Sequence, residues 1–478
     1  MTTACTNTDP NAGSGAGTND SRCQADAQPA TGTDETAGDT IPATQKGIAE
    51  WGQDESDPCI YNGPGNFSLD LTDCPSSWDN NTGITDDSIS LFSSVPKSGA
   101  LAAVGGIGDG LKSYLNYVND NGGIYGREVT LDVNDDQYQP DLTRKNVDAA
   151  IQADKYAASF SIIGTANNLA VRDTMDAACM GEYMVGATDE FFDPENYPWL
   201  TGFGLNYYNE AALLADALKQ QFPDGADVAA IVIDNALGDA YLDGFERAIE
   251  GSNIELVDTQ RNADDAPNVN DQVTSAAASD ADATLVIEAG VLCSQAFAAI
   301  EKSSWDPTIV TGNQCAQIST TFAPMLEQGA TGNGVQTVRY YYAPSDPDVE
   351  EQDKEFAKFM TDTLTSQGLD PQDGQVANGW FWGWYTVAVL KDASVMKGGL
   401  NRANINIAAH SYNSRWPMHI GEVSAAVSGV DDAFPFESGR VYEYTGAGNG
   451  STGRFEPVGD LVTNEGELGN FSKISSGE

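Results

Sequence analysis

Positive charge is the scarcest property of this chain. Lys and Arg total 23 against 71 Asp and Glu, a formal net charge of −48 over 478 residues. A nucleic-acid partner requires Lys and Arg to neutralise phosphates, and an anionic lipid surface draws on the same residues, so both are excluded as charge-driven partners. Histidine is almost as rare: His410 and His419 are the two in the sequence. Neither lies near a nucleophile motif and no G-x-S-x-G occurs, so a hydrolase triad lacks its base. No C-x-x-C is present and both histidines are remote from cysteine, which argues against zinc. The acids are scattered, and none of their runs follows the ligand spacing of a calcium loop. No apolar run approaches the ~20 residues that span a bilayer. Gly106-Ile107-Gly108-Asp109-Gly110 lies inside a helical stretch and does not open a helix after a strand, so it reads as helix packing, not dinucleotide binding. No catalytic residue, metal or cofactor is expected.

What is present begins with a sizeable apolar fraction, 40% of residues. That supports a core for two or three domains. Residues 6 to about 58 are rich in Gly, Asn, Asp, Thr and Ala. Such a segment buries too little apolar surface to offset its ordering entropy, and it reads as a flexible tether. Thr3-Ala4-Cys5 resembles the end of a bacterial lipoprotein processing site, with Thr2 where Leu is expected. That implies a lipid anchor on Cys5; a chance Cys in a tail is the alternative. The chain has seven cysteines. Cys59 and Cys74 bracket a loop of about 15 residues, whose closure stabilises by roughly 3 kcal/mol. Paired cysteines point to an oxidising compartment outside the cytoplasm. The pairing of Cys23 and Cys179 stays open, and Cys179 also reads as a buried thiol.

From Ile84 onward the pattern alternates strands and helices. Strands are expected at 89–95, 128–133, 159–163 and 183–185, with helices at 98–118, 141–151 and 168–180 between them. The pattern restarts with a helix stripe at Tyr207, Ala211, Leu214 and Leu218, then strands at 228–233, 254–257, 284–287 and 308–310. The return runs through 335–342 and a helix at 379–393. Alternation of this kind predicts parallel sheets covered by helices on both faces. The fold class expected is α/β, with two doubly wound units. Ligands of such folds bind in the crevice beyond the carboxyl ends of the strands.

Several motifs fall in a familiar order. Pro96-Lys97-Ser98-Gly99 follows the first strand, and Asn121-Gly122-Gly123-Ile124-Tyr125-Gly126-Arg127 ends the first helix. Asn134-Asp135-Asp136-Gln137, Gly186-Ala187-Thr188 and Leu237-Gly238 come next, and Gly83-Ile84-Thr85-Asp86-Asp87 leads into the first strand. From about residue 83 to 478 the chain resembles type I periplasmic binding proteins, such as the leucine/isoleucine/valine-binding proteins of ABC transporters. The resemblance implies a Venus-flytrap fold with three crossings between the lobes. A tether and disulfide-containing lead-in would occupy 1–82, one lobe 83–203 with 340–436, and the other 204–339 with 437–478. It further implies an extracytoplasmic monomer that captures a small molecule and hands it to an ABC permease; a ligand sensor of the same fold is the alternative. On this assignment Cys293 and Cys315 follow successive strands of the second lobe, which makes a bridge there reasonable.

The same resemblance assigns the cleft. Thr165, Ala166 and Asn167 with Ala187 and Thr188 match the segments that hold a ligand carboxylate in the first lobe. Thr165 and Thr188 equally suit a helix N-cap and a strand-end hydroxyl. Lys97 and Ser98 end the first strand, where Lys97 either pairs with an anion or points into solvent. In the second lobe Leu237 stands where the family has Tyr, and Gln314 where it has an acid. Glu288 is the candidate replacement for that acid, or an exposed strand-end residue. Arg339 and Tyr340 lie at the second crossing, where Arg339 offers a fork for a carboxylate. Among Trp380, Phe381, Trp382 and Trp384, helix period sends Phe381 and Trp384 to the core and leaves one or two rings for the cleft. The missing acid argues against a free branched-chain amino acid, because a buried ammonium needs a carboxylate.

Overall fold

The structure is a computed structural model that describes residues 20–24, 28–30, 40–448 and 450–463. Cys5 and the stretch 464–478 lie outside the described residues, as do 6–19, 25–27 and 31–39 of the expected tether. The longest described part of the tether, residues 40–58, is packed against the body. Ile41 and Ile48 are buried, and Gln45 donates through its backbone N–H (2.8 Å) and Nε2 (2.5 Å) to the Asp392 carboxylate. Three short antiparallel strands follow: β1 (Gly52–Gln53), β2 (Ile60–Asn62) and β3 (Ser68–Asp70). The expected Cys59–Cys74 bridge is not formed; Cys59 pairs with Cys23 and Cys74 with Cys179. The β2–β3 pairing sets Ile60 opposite Asp70 and leaves Cys74 beyond a further 3-10 turn at Leu71–Asp73. That turn carries Cys74 onto the first lobe, where Trp78 Nε1 donates to the Cys179 carbonyl (2.9 Å). Loop length alone does not fix connectivity.

The first sheet is built from β4 (Ser88–Val95), α1 (Gly106–Asp120), β5 (Glu128–Asp135), α2 (Pro140–Ala153), β6 (Ala158–Phe160), α3 (Thr165–Ala177) and β7 (Glu182–Tyr183). Its order is β5-β4-β6-β7, and every pair is parallel. From Leu91 to Val95 β4 is buried on both faces, as in a parallel strand covered by helices on either side, although Ser93 and Ser94 share that burial with Leu91, Phe92 and Val95. Two strands stop short of the lengths expected. Ser161 (φ 58°) and Met184 (φ 53°) take left-handed backbone just past β6 and β7, which ends the pairing. α1 also starts later than expected, since residues 102–105 form a 3-10 turn first.

The second sheet draws on α4 (Tyr207–Gln221), β8 (Ala226–Ile233), α5 (Ala236–Ile249), β9 (Ile254–Asn262), α6 (Asn270–Ala277), β10 (Ala283–Ile287), α7 (Val291–Lys302), β11 (Thr308–Thr311), α8 (Ala323–Glu327) and β12 (Gln336–Arg339). The chain then returns to the first lobe as α9 (Lys354–Ser366), α10 (Gly374–Val395), α11 (Arg402–Ala409) and a small ribbon of β13 (Asn413–Ser414) and β14 (Ala425–Ala426). It crosses once more to add β15 (Arg440–Gly448) and β16 (Ser451–Pro457), giving the order β16-β15-β12-β11-β10-β8-β9. The chain thus passes between the two lobes three times. Parallel bridging of Leu205 with Phe436 and antiparallel bridging of Tyr341 with His419 tie the crossings together. Cys293 and Cys315 are bridged, as expected.

α10 is apolar around nearly its whole circumference and lies against α1. A Cβ at Gly110 would sit 2.0 Å from the Val376 carbonyl oxygen, and one at Gly379 would sit 2.0 Å from that of Ile107. The glycine run of α1 is therefore a helix-packing device. This contact sets the first turn of α10 beside the crevice between the sheets.

Candidate functional site

A cavity opens where the carboxyl ends of both sheets face one another, with about 140 Å³ open to the centre of a water molecule. Each wall comes from a strand end. The first lobe supplies Ile163, Gly164 and Thr165 after β6, and Gly186 and Ala187 after β7. The second supplies Leu237 after β8, Ala289 and Gly290 after β10, and Asn313 and Gln314 after β11. The crossings add Gly204, Leu205, Tyr340 and Tyr341, and the first turns of α10 add Gln375, Asn378 and Trp382. Gly164 is needed at its place: its φ is 112°, and a Cβ there would lie 3.0 Å from Asn167 Cγ. It lets α3 begin at the cavity wall with uncapped N–H groups, an arrangement that favours an anionic or carbonyl oxygen.

No Asp, Glu, Lys, Arg or His lines this cavity among the described residues. Its polar side chains are phenols, neutral amides, the Thr165 hydroxyl and the Trp382 indole. Tyr207 stacks on Tyr241 at 4.5 Å, and burial pushes its hydroxyl up to about 12 against the lowering contact of Thr165. Tyr341 stacks on Phe381 at 4.9 Å and donates to Asn378 Oδ1 at 3.2 Å. Trp382 Nε1 and Gln314 Nε2 are buried without a hydrogen-bond partner among the described residues. Such donors are costly to leave unmade, and a bound acceptor would satisfy them. Behind the wall, Glu210 Oε2 lies in hydrogen-bond contact with Tyr241 Oη (2.6 Å), its Oε1 accepts from the Asn313 N–H (2.6 Å), and burial pushes its carboxyl up to about 8.

Of the residues expected in the site, the structure brings together Thr165, Ala187, Leu237, Gln314 and Tyr340. The others lie elsewhere. Lys97 and Ser98 are exposed; both donate backbone N–H groups to Asp135 Oδ1, and Ser98 Oγ donates to Asp135 Oδ2 at 2.5 Å. Ala166 is outside the lining, and Asn167 turns inward to donate to the Ile163 carbonyl at 3.1 Å. Thr188 precedes the 3-10 turn Asp189–Phe191 and does not reach the cavity. Glu288 faces away and accepts from Asn262 Nδ2 at 3.2 Å, while burial pushes its carboxyl up to about 8. Ala289 and Gly290, just past the end of β10, line the cavity instead.

Arg339 is not free for a ligand carboxylate in the main cavity. Its Nη2 is paired with Asp346, and its guanidinium lies 5.3 Å from the Tyr442 ring and 5.2 Å from the Phe455 ring. It borders a smaller neighbouring chamber that shares Asn313, Gln317, Tyr340 and Tyr341 with the main one. As expected, Phe381 and Trp384 are core and one ring of the tryptophan group, Trp382, reaches the cavity. Sequence reasoning missed Tyr207, Gln375 and Asn378. The available signal was Gln375 and Asn378 at the start of an otherwise apolar helix.

The comparisons with known proteins agree with this geometry. The family profile described as periplasmic binding protein matches residues 93–426. No curated protein matches the sequence. Among solved structures, a branched chain amino acid ABC transporter protein from Thermus thermophilus with bound valine superposes with a TM-score of 0.68 at 15% identity, covering 82% of this chain and 100% of that one. A fatty acid ABC transporter substrate-binding protein from Thermomonospora curvata gives 0.67 at 17% identity, covering 82% and 96%. A solute binding protein of an ABC transporter from Rhodopseudomonas palustris BisB5, in complex with 3,4-dihydroxy benzoic acid, gives 0.63 at 17% identity, covering 80% and 100%. These are binding proteins of transporters, and at such identities they share the fold. With the profile spanning well over half of its length, the chain belongs to the periplasmic binding protein family, in its type I form.

Proposed function

We propose that the protein is an extracytoplasmic solute-binding protein that closes its lobes over a small organic molecule and delivers it to an ABC permease. The lobes are 83–203 with 340–436, and 204–339 with 437–478. The ligand has a flat or apolar body and an oxygen-bearing end, and it is held without a salt bridge. One observation carries this reading: the cavity between the strand ends is walled by aromatic rings and neutral amides, with no charged side chain among the described residues. A free amino acid would leave its ammonium without a carboxylate, at a cost of several kcal/mol on the order of a hundredfold or more in affinity. Rings of Tyr207, Tyr341 and Trp382 suit an aromatic face. Three disulfides fit an oxidising compartment, and the Thr3-Ala4-Cys5 motif fits a lipid anchor on Cys5.

The test is a thermal-shift panel of valine, 4-hydroxybenzoate, 3,4-dihydroxybenzoate and octanoate on the full chain. A ligand at a hundred times its Kd stabilises by about 2.7 kcal/mol, which is readily seen. An aromatic or aliphatic carboxylate should raise Tm, and valine should not. Stabilisation by valine alone would overturn the ligand class, and no response to any of the four would count against the site.

A further inference from the structure

Glu210 does not touch the cavity, yet it is joined to it by a single file of hydrogen-bonding groups. α4 carries it inward, fully buried. Its Oε1 is fixed by the Asn313 backbone N–H at 2.6 Å. Its Oε2 lies 2.6 Å from Tyr241 Oη, which in turn lies 3.0 Å from Gln314 Oε1. Gln314 lines the cavity, and its Nε2 has no hydrogen-bond partner among the described residues. Carboxyl, phenol and amide therefore stand in a row that ends at the ligand chamber.

We propose that Glu210 is a positioning residue that decides, through Tyr241, whether Gln314 offers the ligand a hydrogen-bond donor or an acceptor. This rests on reading the cavity as the ligand site. A phenol carries one proton, and an amide presents NH2 on one side and C=O on the other. When Glu210 is protonated, its Oε2–H donates to Tyr241 Oη, and Tyr241 donates to Gln314 Oε1. The Gln314 NH2 then points its hydrogens toward the chamber. When Glu210 is ionised, Tyr241 must donate to the carboxylate. With its one O–H committed as a hydrogen bond to the carboxylate and no proton transferred, the phenol oxygen can then only accept, so Gln314 turns its amide over, donates Nε2–H to Tyr241 and shows its carbonyl to the chamber.

The surroundings favour the protonated state. The titratable groups that interact with Glu210 are tyrosines: Tyr241 on α5, Tyr207 on its own helix, and Tyr340 and Tyr341 at the second crossing. No cation stands among them to hold the carboxylate, and burial pushes the group up to about 8. At neutral pH Gln314 is thus a donor, so the ligand places a carboxylate, carbonyl or ether oxygen against it. Ionising Glu210 sets a carbonyl against that oxygen and weakens binding about tenfold or more.

The test needs no ligand. The side-chain amide of Gln314, labelled with nitrogen-15 and assigned from its loss in Gln314→Leu, is followed by NMR from about pH 6 to about pH 10. The wild type should show one titration centred near 8. That titration should vanish in Glu210→Gln and also in Tyr241→Phe, which keeps the ring but cuts the relay. A flat wild-type trace, or a titration that survives in Tyr241→Phe, overturns the proposal. A titrating Gln314 together with a silent ligand panel would leave the relay standing and sink the proposed function, so the two failures are told apart.

Discussion

The bridge between Cys74 and Cys179 should be worth more than any other in the molecule, and the reason is chain entropy. It closes 105 residues, against 36 for Cys23–Cys59 and 22 for Cys293–Cys315. Loops of those lengths correspond to about 4.8, 3.8 and 3.4 kcal/mol when closure entropy of the unfolded chain dominates. All six bridged cysteines are buried, so replacing a pair by alanine costs a similar amount of packing in each case. The hydrogen bonds at the Cys179 carbonyl, from Trp78 Nε1 (2.9 Å) and Arg402 Nη2 (2.8 Å), do not depend on the sulfur. The difference between pairs should therefore report loop length. The assay is guanidinium unfolding followed by tryptophan fluorescence, with Trp78 and Trp199 in edge contact beside the bridge as reporters. C74A/C179A should lose about 1.4 kcal/mol more than C293A/C315A. An equal or smaller loss would refute the argument, and a peptide map showing Cys59 joined to Cys74 would refute the connectivity.

Three further outcomes follow from buried groups and close contacts. Glu288 has a folded value of about 8 against an ordinary 4.5, so between those values the folded chain binds the extra proton. Stability should fall as pH rises through that window, and Glu288→Gln should remove on the order of 4 kcal/mol of the decline in urea titrations at pH 5 and 9; an unchanged slope would show that Glu288 ionises normally. Gly379→Val should destabilise by about 1–3 kcal/mol or more, since its Cβ would meet the Ile107 carbonyl at 2.0 Å, while Gly459→Ala, with open space around it, should melt like the wild type. Arg339→Met leaves Asp346, whose side chain is 3% exposed, without its partner, at about 3–5 kcal/mol. Adding Asp346→Asn should recover most of that loss in the same denaturation assay, and no recovery would mean that packing, not charge, holds the pair.

The periodic parts of the fold were legible because burial dictates them. β8 and β10 read as apolar runs, and α5 shows its stripe of Tyr241, Phe245 and Ile249, all of them buried. The parallel alternation of two sheets followed from these. The lead-in was misread because composition describes an average. A few apolar residues, Ile41, Ile48 and Trp78, are enough to dock a polar segment when two disulfides already hold it. Strand ends were the least legible feature, and they position the site. Ser161 and Met184 take positive φ without being glycine, which no local pattern announces. Placing a residue just past a strand by one position exchanges a lining side chain for a buried one, as Glu288 and Ala289 show.

The contrast between a net charge of −48 and an uncharged cavity has a physical logic. Exposed carboxylates interact through water and salt, whose screening length is about 8 Å at physiological ionic strength, so they cost the fold little. An acid beside the ligand chamber would be different, because the low dielectric there magnifies any unpaired charge. The structure meets this in two ways. Glu210 and Glu288 are raised toward the protonated form by burial, and Asp346 is matched by Arg339. The chamber is thus electrically quiet although the molecule is not. If the chamber is the ligand site proposed above, selection falls to shape, aromatic faces and the direction of single hydrogen bonds, and a site built on direction is one in which a buried proton two groups away can matter.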